Sequence, residues 1–213
     1  NVNKIVKCNK RPIAVYIEKC PEAVIADIGI LLSGNFYMNL DVNNPKERIA
    51  AILALIQPEI IITNQKSRDK IAGLHEKVIV IEDLLEDDIQ ISDDDIFEYR
   101  KDLIDTDPSC IINTSGSTGT TKGVVLNHRS FFDFTLWAQE TFVFGSNEIM
   151  GCLSPLVFDI YCYELCMLMF HSSTMVLVPD GLATFPIRLL QYLERNKVTY
   201  LFWVPTIMVN IAN

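Results

Sequence analysis

The segment from residue 112 to residue 123 holds the densest group of side chains in this sequence that could do chemistry. It reads Ile-Asn-Thr-Ser-Gly-Ser-Thr-Gly-Thr-Thr-Lys-Gly. Glycines let backbone N–H groups turn toward an anion, hydroxyls donate hydrogen bonds, and Lys122 adds a compact positive charge. Because each hydrogen bond to a charged oxygen contributes about 1.5–3 kcal/mol, a few of them hold a nucleotide. The composition suits a polyphosphate, although composition alone more often marks a surface turn that binds nothing.

Apolar segments flank this stretch on both sides, at 110–112 and 124–126. They predict a strand that enters a polar loop and a second strand that leaves it. The loop is not a Walker loop, because that motif requires Ser or Thr directly after its lysine, and here Gly123 follows Lys122.

The order of residues from Thr114 to Gly123 resembles the phosphate-loop signature of the adenylate-forming (AMP-binding) enzymes, Thr-Ser-Gly-Ser/Thr-Thr-Gly-x-Pro-Lys-Gly. Thr121 stands where that pattern has Pro, a change that restores backbone freedom and removes no phosphate donor. The resemblance implies that the phosphates of ATP are bound by Thr114, Ser115, Gly116, Ser117, Thr118, Gly119, Lys122 and Gly123.

A second segment, residues 28–49, resembles a core motif of amino-acid adenylation domains, Leu-Lys-Ala-Gly-Gly-Ala-Tyr-x-Pro-Leu-Asp followed by Pro-x-x-Arg-Ile. Asn39 replaces the Pro of that pattern. The motif joins a helix to a strand and begins the next helix, so Asp41 is expected to be a turn or cap residue rather than a catalyst.

A third segment, Ser-Pro-Leu-Val-Phe-Asp at 154–159, resembles the opening of the substrate pocket in the amino-acid-activating branch of that family. The resemblance implies that Phe158 and Asp159 line the pocket, that a largely buried Asp159 carboxylate holds the α-ammonium group of the substrate, and that Tyr163 forms a bulky wall. The alternative for Asp159 is a helix N-cap, and both roles can hold together.

Two other functions stay open at this point. In an acyl- or aryl-acid CoA ligase, Asp159 would only cap a helix; the absence of a His shortly after Pro155 favours an amino acid instead. A non-catalytic nucleotide-binding or structural α/β module would keep the loop without the reaction.

The elements around these motifs alternate between strand and helix. Apolar strands are expected at 12–17, 37–40, 59–63, 78–81, 151–154, 174–178 and 200–203, with helices between them. Residues 82–109 read as an acidic, irregular link between a first βα portion, 1–81, and a second portion, 110–213, that carries the phosphate loop. This alternation predicts an α/β fold of mostly parallel sheets covered by helices.

Composition excludes several classes of function. With 49% hydrophobic and 21% charged residues the chain is globular, and a net charge of −9 argues against nucleic-acid or anionic-membrane binding. No apolar run is long enough to span a bilayer. The six cysteines form no CxxC pair. We therefore expect no metal site, core positions for Cys162 and Cys166, and reduced thiols in a cytoplasmic protein.

The resemblance covers about residues 12–212 and only part of the family's length. It implies the partial N-terminal domain of an ATP-dependent acid–thiol ligase of the nonribosomal peptide synthetase or D-alanine–carrier-protein ligase type. Such an enzyme forms aminoacyl-AMP and pyrophosphate and passes the aminoacyl group to the phosphopantetheine thiol of a carrier protein. Mg²⁺ would assist from a ligand outside this chain.

The segments that hold adenine, ribose and magnesium in the family, and the C-terminal lid domain with its catalytic lysine, have no counterpart in this sequence. We therefore assign no catalytic residue here and expect the isolated chain to be inactive. We also expect apolar surface to be exposed, and the chain to self-associate through it.

Overall fold

A six-stranded sheet organises Asn1–Arg129, the first of two compact units in the chain. Its strands are β1 (Pro12–Tyr16), β2 (Phe36–Asn39), β3 (Ile61–Thr63), β4 (Val78–Val80), β5 (Pro108–Ser115) and β6 (Thr121–Asn127). Their order across the sheet is β4-β3-β1-β2-β5-β6. The strands β1 to β5 run parallel, and β6 runs antiparallel to β5. This computed structural model describes residues 2–86, 91–115, 121–142 and 144–212.

Helices connect these strands. They are α1 (Val2–Ile5), α2 (Pro21–Leu32), α3 (Lys46–Ile56), a 3₁₀ turn (Arg68–Ile71), α4 (Ile81–Glu86) and α5 (Asp93–Arg100). Pro21 occupies the first turn of α2, where its missing N–H leaves no hydrogen bond unmade. Gly34 follows the end of α2 with φ +77°, a conformation that only glycine adopts without strain. The sequence therefore marks both ends of α2.

Buried side chains cover both faces of this sheet, and one hydrophobic core lies between the sheet and α3. Ile13, Ile61 and Ile62 are fully buried in the central strands β1 and β3. Ile49 and Ile52 of α3 pack with the side chains that these strands and β2 direct toward the helix. Because parallel strands are covered on their faces, their residues read as continuous apolar runs, as they do in this sequence.

A smaller parallel sheet organises the second unit, Ser130–Asn213. Its strands are β7 (Ile149–Cys152), β8 (Thr174–Leu177) and β9 (Tyr200–Leu201), in the order β8-β7-β9. The helices are α6 (His128–Phe142), which begins at the end of the first unit, α7 (Asp159–His171), α8 (Pro186–Arg195) and α9 (Pro205–Ala212), with a 3₁₀ turn at Leu182–Thr184. No helix among the described residues is both long and apolar enough to cross a bilayer.

The prediction of an α/β fold with mostly parallel sheets is confirmed. The prediction of an irregular link at 82–109 is wrong, because most of α4 and all of α5 lie there. Ser92 caps α5 through a reciprocal capping box with Asp95, and acidic residues fill its first turn, where the helix dipole favours negative charge. The boundary between the units falls after Arg129, so β5 and β6 complete the first sheet instead of opening a second portion.

Candidate nucleotide and substrate site

The Gly-rich segment is bracketed by two antiparallel strands. β5 ends at Ser115 and β6 begins at Thr121, and these two residues face each other across the ladder. The prediction of a strand on each side of the loop is therefore confirmed. The predicted phosphate-binding residues between the strands, Gly116, Ser117, Thr118 and Gly119, lie outside the described residues.

Thr114 and Lys122 stand at the mouth of this segment. They are direct partners across β5 and β6, so their side chains lie on the same face of the two strands. Both residues are exposed. The ion pairs between described residues are made by other basic side chains, such as Lys10 with Asp107 and Arg129 with Asp105. The strand ends thus present a hydroxyl and a cation together on one exposed face, which suits an anionic ligand.

Gly123, the last residue of the predicted phosphate loop, lies inside β6 and has a packing role. A Cβ atom at Gly123 would lie 2.7 Å from Cδ1 of Ile56 and 3.1 Å from Cγ2 of Ile111. Its bare backbone lets the end of α3 close onto β6. Gly123 is in regular strand conformation, so backbone strain does not require glycine there. Glycine is required because a side chain would have no room beside Ile56 and Ile111.

The exit from β6 is fixed by contacts to the segment before β5. The backbone N–H of His128 donates to Asp107, and the backbone N–H of Arg129 donates to Asp105, 2.7 Å away. The Arg129 guanidinium also donates two hydrogen bonds to the Asp105 carboxylate, at 2.7 and 2.9 Å. Burial lowers the pKa of His128, so its ring is neutral at pH 7. These contacts fix where β6 ends and α6 begins.

Asp159 begins α7 and is exposed. The prediction of a largely buried carboxylate is therefore wrong. Asp159 is not the N-cap either, because Phe158 holds that position and makes no side-chain cap bond. The Asp159 carboxylate accepts a hydrogen bond from the Ile160 N–H at 2.9 Å. A negative side chain in the first turn is favoured by the helix dipole, and its exposure leaves it open to a cationic group.

Tyr163 lies one turn further along α7, on the same helix face as Asp159. In contrast to Asp159, it is only 3% exposed. Its ring meets Phe134 edge-on with a centroid distance of 5.1 Å and Phe202 at 4.7 Å, and its hydroxyl lies 2.8 Å from that of Tyr200. One side of α7 therefore carries an exposed carboxylate, that of Asp159, and one turn further a buried aromatic ring, that of Tyr163. Nothing in the sequence points to Tyr200, which is 37 residues distant from Tyr163.

The cysteines of α7 are core residues, as predicted. Cys162 is buried and Cys166 is partly buried. Burial raises the pKa of the Cys166 thiol to about 12, so it stays protonated. Where residues are described, no group of three or more His, Cys, Asp or Glu side chains is placed to hold a metal ion.

The first unit contains an apolar cavity of about 220 Å³. Most of its lining residues belong to helices, among them Val2 of α1, Ile25 of α2 and Leu85 of α4. None of the predicted phosphate or substrate residues lines it. The cavity therefore contributes no residue to the predicted site.

The family model for AMP-binding enzymes matches residues 6–213, a range that includes all three motif segments, 28–49, 112–123 and 154–159. This chain belongs to the AMP-binding enzyme family. Among curated relatives, it is 30% identical to a dimodular nonribosomal peptide synthase of Bacillus subtilis, over 92% of this chain and 8% of the synthase. It is also 28% identical to the D-alanine–D-alanyl carrier protein ligase of Staphylococcus aureus, over 93% of this chain and 39% of the ligase.

Solved structures agree with this family assignment. The AMPPNP-bound form of the nonribosomal peptide synthetase FmoA3 matches with a TM-score of 0.78 and 25% identity, covering 94% of this chain and 21% of that one. The N-terminal subdomain of Klebsiella oxytoca NpsA has the same fold, with a TM-score of 0.81 and 22% identity over 95% of this chain and 50% of that one. The chain thus spans half or less of the length of these proteins.

Proposed function

We propose that this chain is the N-terminal part of an enzyme that adenylates an amino acid with ATP. The observation that carries the proposal is the pair of strand ends that presents Thr114 and Lys122 on one exposed face beside a Gly/Ser/Thr-rich segment. An exposed carboxylate at the start of α7, that of Asp159, supports the amino-acid branch. The relatives named above support the same reaction class.

In the proposed reaction, a carboxylate oxygen of the amino acid attacks the α-phosphorus of ATP. A new O–P bond forms, the bond from that phosphorus to the bridging oxygen breaks, and pyrophosphate leaves with the electron pair. Thr114, Lys122 and the intervening loop would bind the β- and γ-phosphates and offset the charge that develops on pyrophosphate. The protein's contribution is positioning and electrostatic stabilisation, and no side chain has to act as a nucleophile.

The α-ammonium group of the amino acid would pair with the Asp159 carboxylate, while Phe158 and Tyr163 would line the adjoining pocket. A charge-assisted hydrogen bond of this kind contributes about 1.5–3 kcal/mol. It would therefore distinguish an amino acid from a fatty or aryl acid of similar size by roughly one to two orders of magnitude.

Two further parts of the reaction are proposed to come from outside residues 1–213. Mg²⁺ would supply additional charge neutralisation at the phosphates, and we assign it no ligand in this chain. A carrier protein would accept the aminoacyl group on its phosphopantetheine thiol. Because the chain spans 39% of the D-alanyl ligase, we propose that residues 1–213 alone do not sustain the reaction.

The six free cysteines are consistent with a cytoplasmic enzyme.

The decisive experiment is amino-acid-dependent ATP–pyrophosphate exchange by the full-length gene product that carries this sequence. Each standard amino acid, D-alanine, a set of fatty acids and a set of aryl acids would be tested separately. Exchange driven by an amino acid is the expected result. Exchange only with acids that lack an α-amine would replace the proposal with an acyl- or aryl-acid ligase, and no exchange with any acid would favour a non-catalytic module.

Lys122→Ala tests the phosphate-binding role. We expect the dissociation constant for ATP to rise about tenfold or more, the value of one lost charge-assisted hydrogen bond. Lys70→Ala is the matched control, since Lys70 is also an exposed lysine of the first unit. Equal ATP affinity in the wild type and in both variants would exclude Lys122 from the nucleotide site.

Asp159→Ala tests the amino-acid role. We expect exchange with the preferred amino acid to fall at least tenfold while affinity for ATP is retained. Asp133→Ala, at an exposed carboxylate of the same unit, is expected to behave as the wild type. Full exchange activity in Asp159→Ala would show that the Asp159 carboxylate does not bind the α-ammonium group of the substrate.

We also propose that residues 1–213 self-associate. Phe132, Leu136 and Trp137 of α6 are all large, apolar and about half exposed. Such side chains favour burial against a second surface. Light scattering should show a mass that grows with concentration, and Leu136→Glu should reduce that growth. A constant monomer mass over a hundredfold concentration range would contradict self-association.

A further inference from the structure

The hydroxyls of Tyr163 and Tyr200 form a hydrogen bond of 2.8 Å between a helix and a strand of the second unit. Tyr163 is in α7, and Tyr200 is in β9, where it pairs with Met150 of β7. The bond therefore ties the middle of α7 to one edge of the sheet. The two tyrosines are 37 residues apart in the sequence, so their bond is a tertiary contact and is not part of any helix or strand hydrogen-bond pattern.

The Tyr163 ring is held by aromatic neighbours as well as by its hydroxyl. Phe134 meets it at 87° and Phe202 lies at 59° to it, with centroid distances of 5.1 and 4.7 Å. Tyr200 is in turn packed edge-on against Phe144 at 4.7 Å. An aromatic ring that is packed by two neighbours and hydrogen-bonded at its tip has one orientation that satisfies all three contacts.

Both phenols stay protonated at neutral pH, which maintains the hydrogen bond. Burial is the main cause that raises the pKa of Tyr163 and the pKa of Tyr200. The nearby charge of Glu164, a fully buried residue of α7, raises both pKa values further. One hydroxyl can therefore donate while the other accepts.

We infer that Tyr200 is a positioning residue that fixes Tyr163 as a rigid aromatic floor of the substrate pocket. This inference rests on the proposed function, in which Asp159 and Tyr163 line that pocket. Four residues of α-helix advance about 6 Å along the axis, so the floor lies one turn from the carboxylate that would hold the ammonium group. Because the Tyr163 hydroxyl is engaged by Tyr200, the substrate meets aromatic carbon there. The favoured substrate is an α-amino acid with an apolar side chain.

The test uses three variants of the full-length gene product, Tyr200→Phe, Tyr163→Phe and the double variant. Each keeps the ring and removes a hydroxyl from the same hydrogen bond. We expect the KM for the preferred amino acid in ATP–pyrophosphate exchange to rise about two- to tenfold, with the KM for ATP unchanged. Discrimination against an amino acid one methylene larger should fall by a similar factor. The double variant should match the single ones, because all three lose one bond.

Tyr192→Phe is the matched control. The Tyr192 hydroxyl also donates a hydrogen bond within this unit, to the Leu177 carbonyl at 3.0 Å, but Tyr192 packs in a different apolar cluster from Tyr163. Its loss should lower the melting temperature slightly and leave amino-acid discrimination intact.

The possible results distinguish the positioning role of Tyr200 from the proposed function as an amino-acid adenylating enzyme. If the wild type exchanges with an amino acid and the three variants keep its discrimination, the positioning role is wrong and the proposed function stands. A preferred substrate with a charged side chain would contradict the inference that Tyr163 presents an apolar surface to the substrate. If the wild type exchanges with no amino acid, the proposed function fails, and the inference fails with it. Thermal melts of each variant show whether a lost activity reflects unfolding.

Discussion

The Asn39 side-chain amide donates a hydrogen bond of 2.9 Å to the carboxylate of Asp27. Asn39 is the last residue of β2 and Asp27 lies on α2, and both are buried. The motif that this segment resembles has Pro at the position of Asn39. Proline has no side-chain donor, so this departure from the motif adds a hydrogen-bond donor to a buried carboxylate, and buried charged groups need hydrogen bonds to offset the cost of burial.

Asn39→Ala should therefore destabilise the chain by about 2–4 kcal/mol, because the buried Asp27 loses a donor. In the double variant with Asp27→Ala, the cost should be well below the sum of the two single costs, since the residue in need of a donor is gone as well. Urea unfolding of residues 1–213 measures all four proteins of this cycle. Additive costs would mean that the two side chains contribute independently.

Gly123→Ala should destabilise the chain by about 1–2 kcal/mol through overpacking against Ile56. The methyl group would lie 2.7 Å from Ile56 Cδ1, an atom that valine lacks. Ile56→Val should therefore recover part of the loss when it is combined with Gly123→Ala. Thermal or urea unfolding provides the measurement.

Gly29→Ala is the control for that substitution. Gly29 lies within α2, and a Cβ atom there would meet nothing within 4 Å. Alanine is the better helix former by up to about 1 kcal/mol, so this variant should be as stable as the wild type or more stable. A similar loss in both glycine variants would refute the packing explanation for Gly123.

Glu18 should make the stability of the first unit depend on pH in the acid range. Its partial burial opposes ionisation, but hydrogen bonds from Lys66, its own backbone N–H, Asn64 and Ser67 outweigh that cost and hold its pKa at about 2. The ordinary value is 4.5. A depressed pKa contributes stability that is fully present above pH ~4.5 and is lost as the pH falls toward 2.

Glu18→Gln should accordingly be less stable than the wild type by about 1 kcal/mol at pH 6, a modest figure because solvent screens a group at this position. The gap should narrow steadily between pH 4.5 and pH 2. Urea midpoints collected at half-unit steps of pH would reveal it. A gap that stays constant through this window would show that the charge of Glu18 is not the cause.

Ser92→Ala should loosen the start of α5. The Ser92 hydroxyl accepts a hydrogen bond from the Asp95 backbone N–H at 3.2 Å, and the Asp95 carboxylate accepts one from the Ser92 N–H at 2.9 Å. Loss of such a cap costs about 1 kcal/mol. Hydrogen exchange should become faster for the amides of the first turn, residues 93–95, and stay unchanged in α2. Unchanged protection at Asp95 would mean that the cap does not hold this helix.

Local patterns in the sequence were sufficient to predict most elements of the fold. Continuous apolar runs indicated β1 and β3 because parallel strands are covered on their faces, and Pro21 and Gly34 marked the ends of α2 through backbone constraints that act within a few residues. The residue order from Thr114 to Gly123 was enough to indicate the family. α5 was missed because its acidic composition resembles a solvated loop, although Ser92 and Asp95 carried the signal of a capping box.

Contacts between distant residues were decided only by the tertiary structure. The bond between Asn39 and Asp27, the approach of Ile56 to Gly123 and the hydroxyl pair of Tyr163 and Tyr200 each join separate elements. The exposure of Asp159 likewise depends on how α7 packs in its unit. A sequence determines which backbone conformations and which faces are favoured locally, whereas the partners that meet across those faces depend on how strands and helices are placed in space.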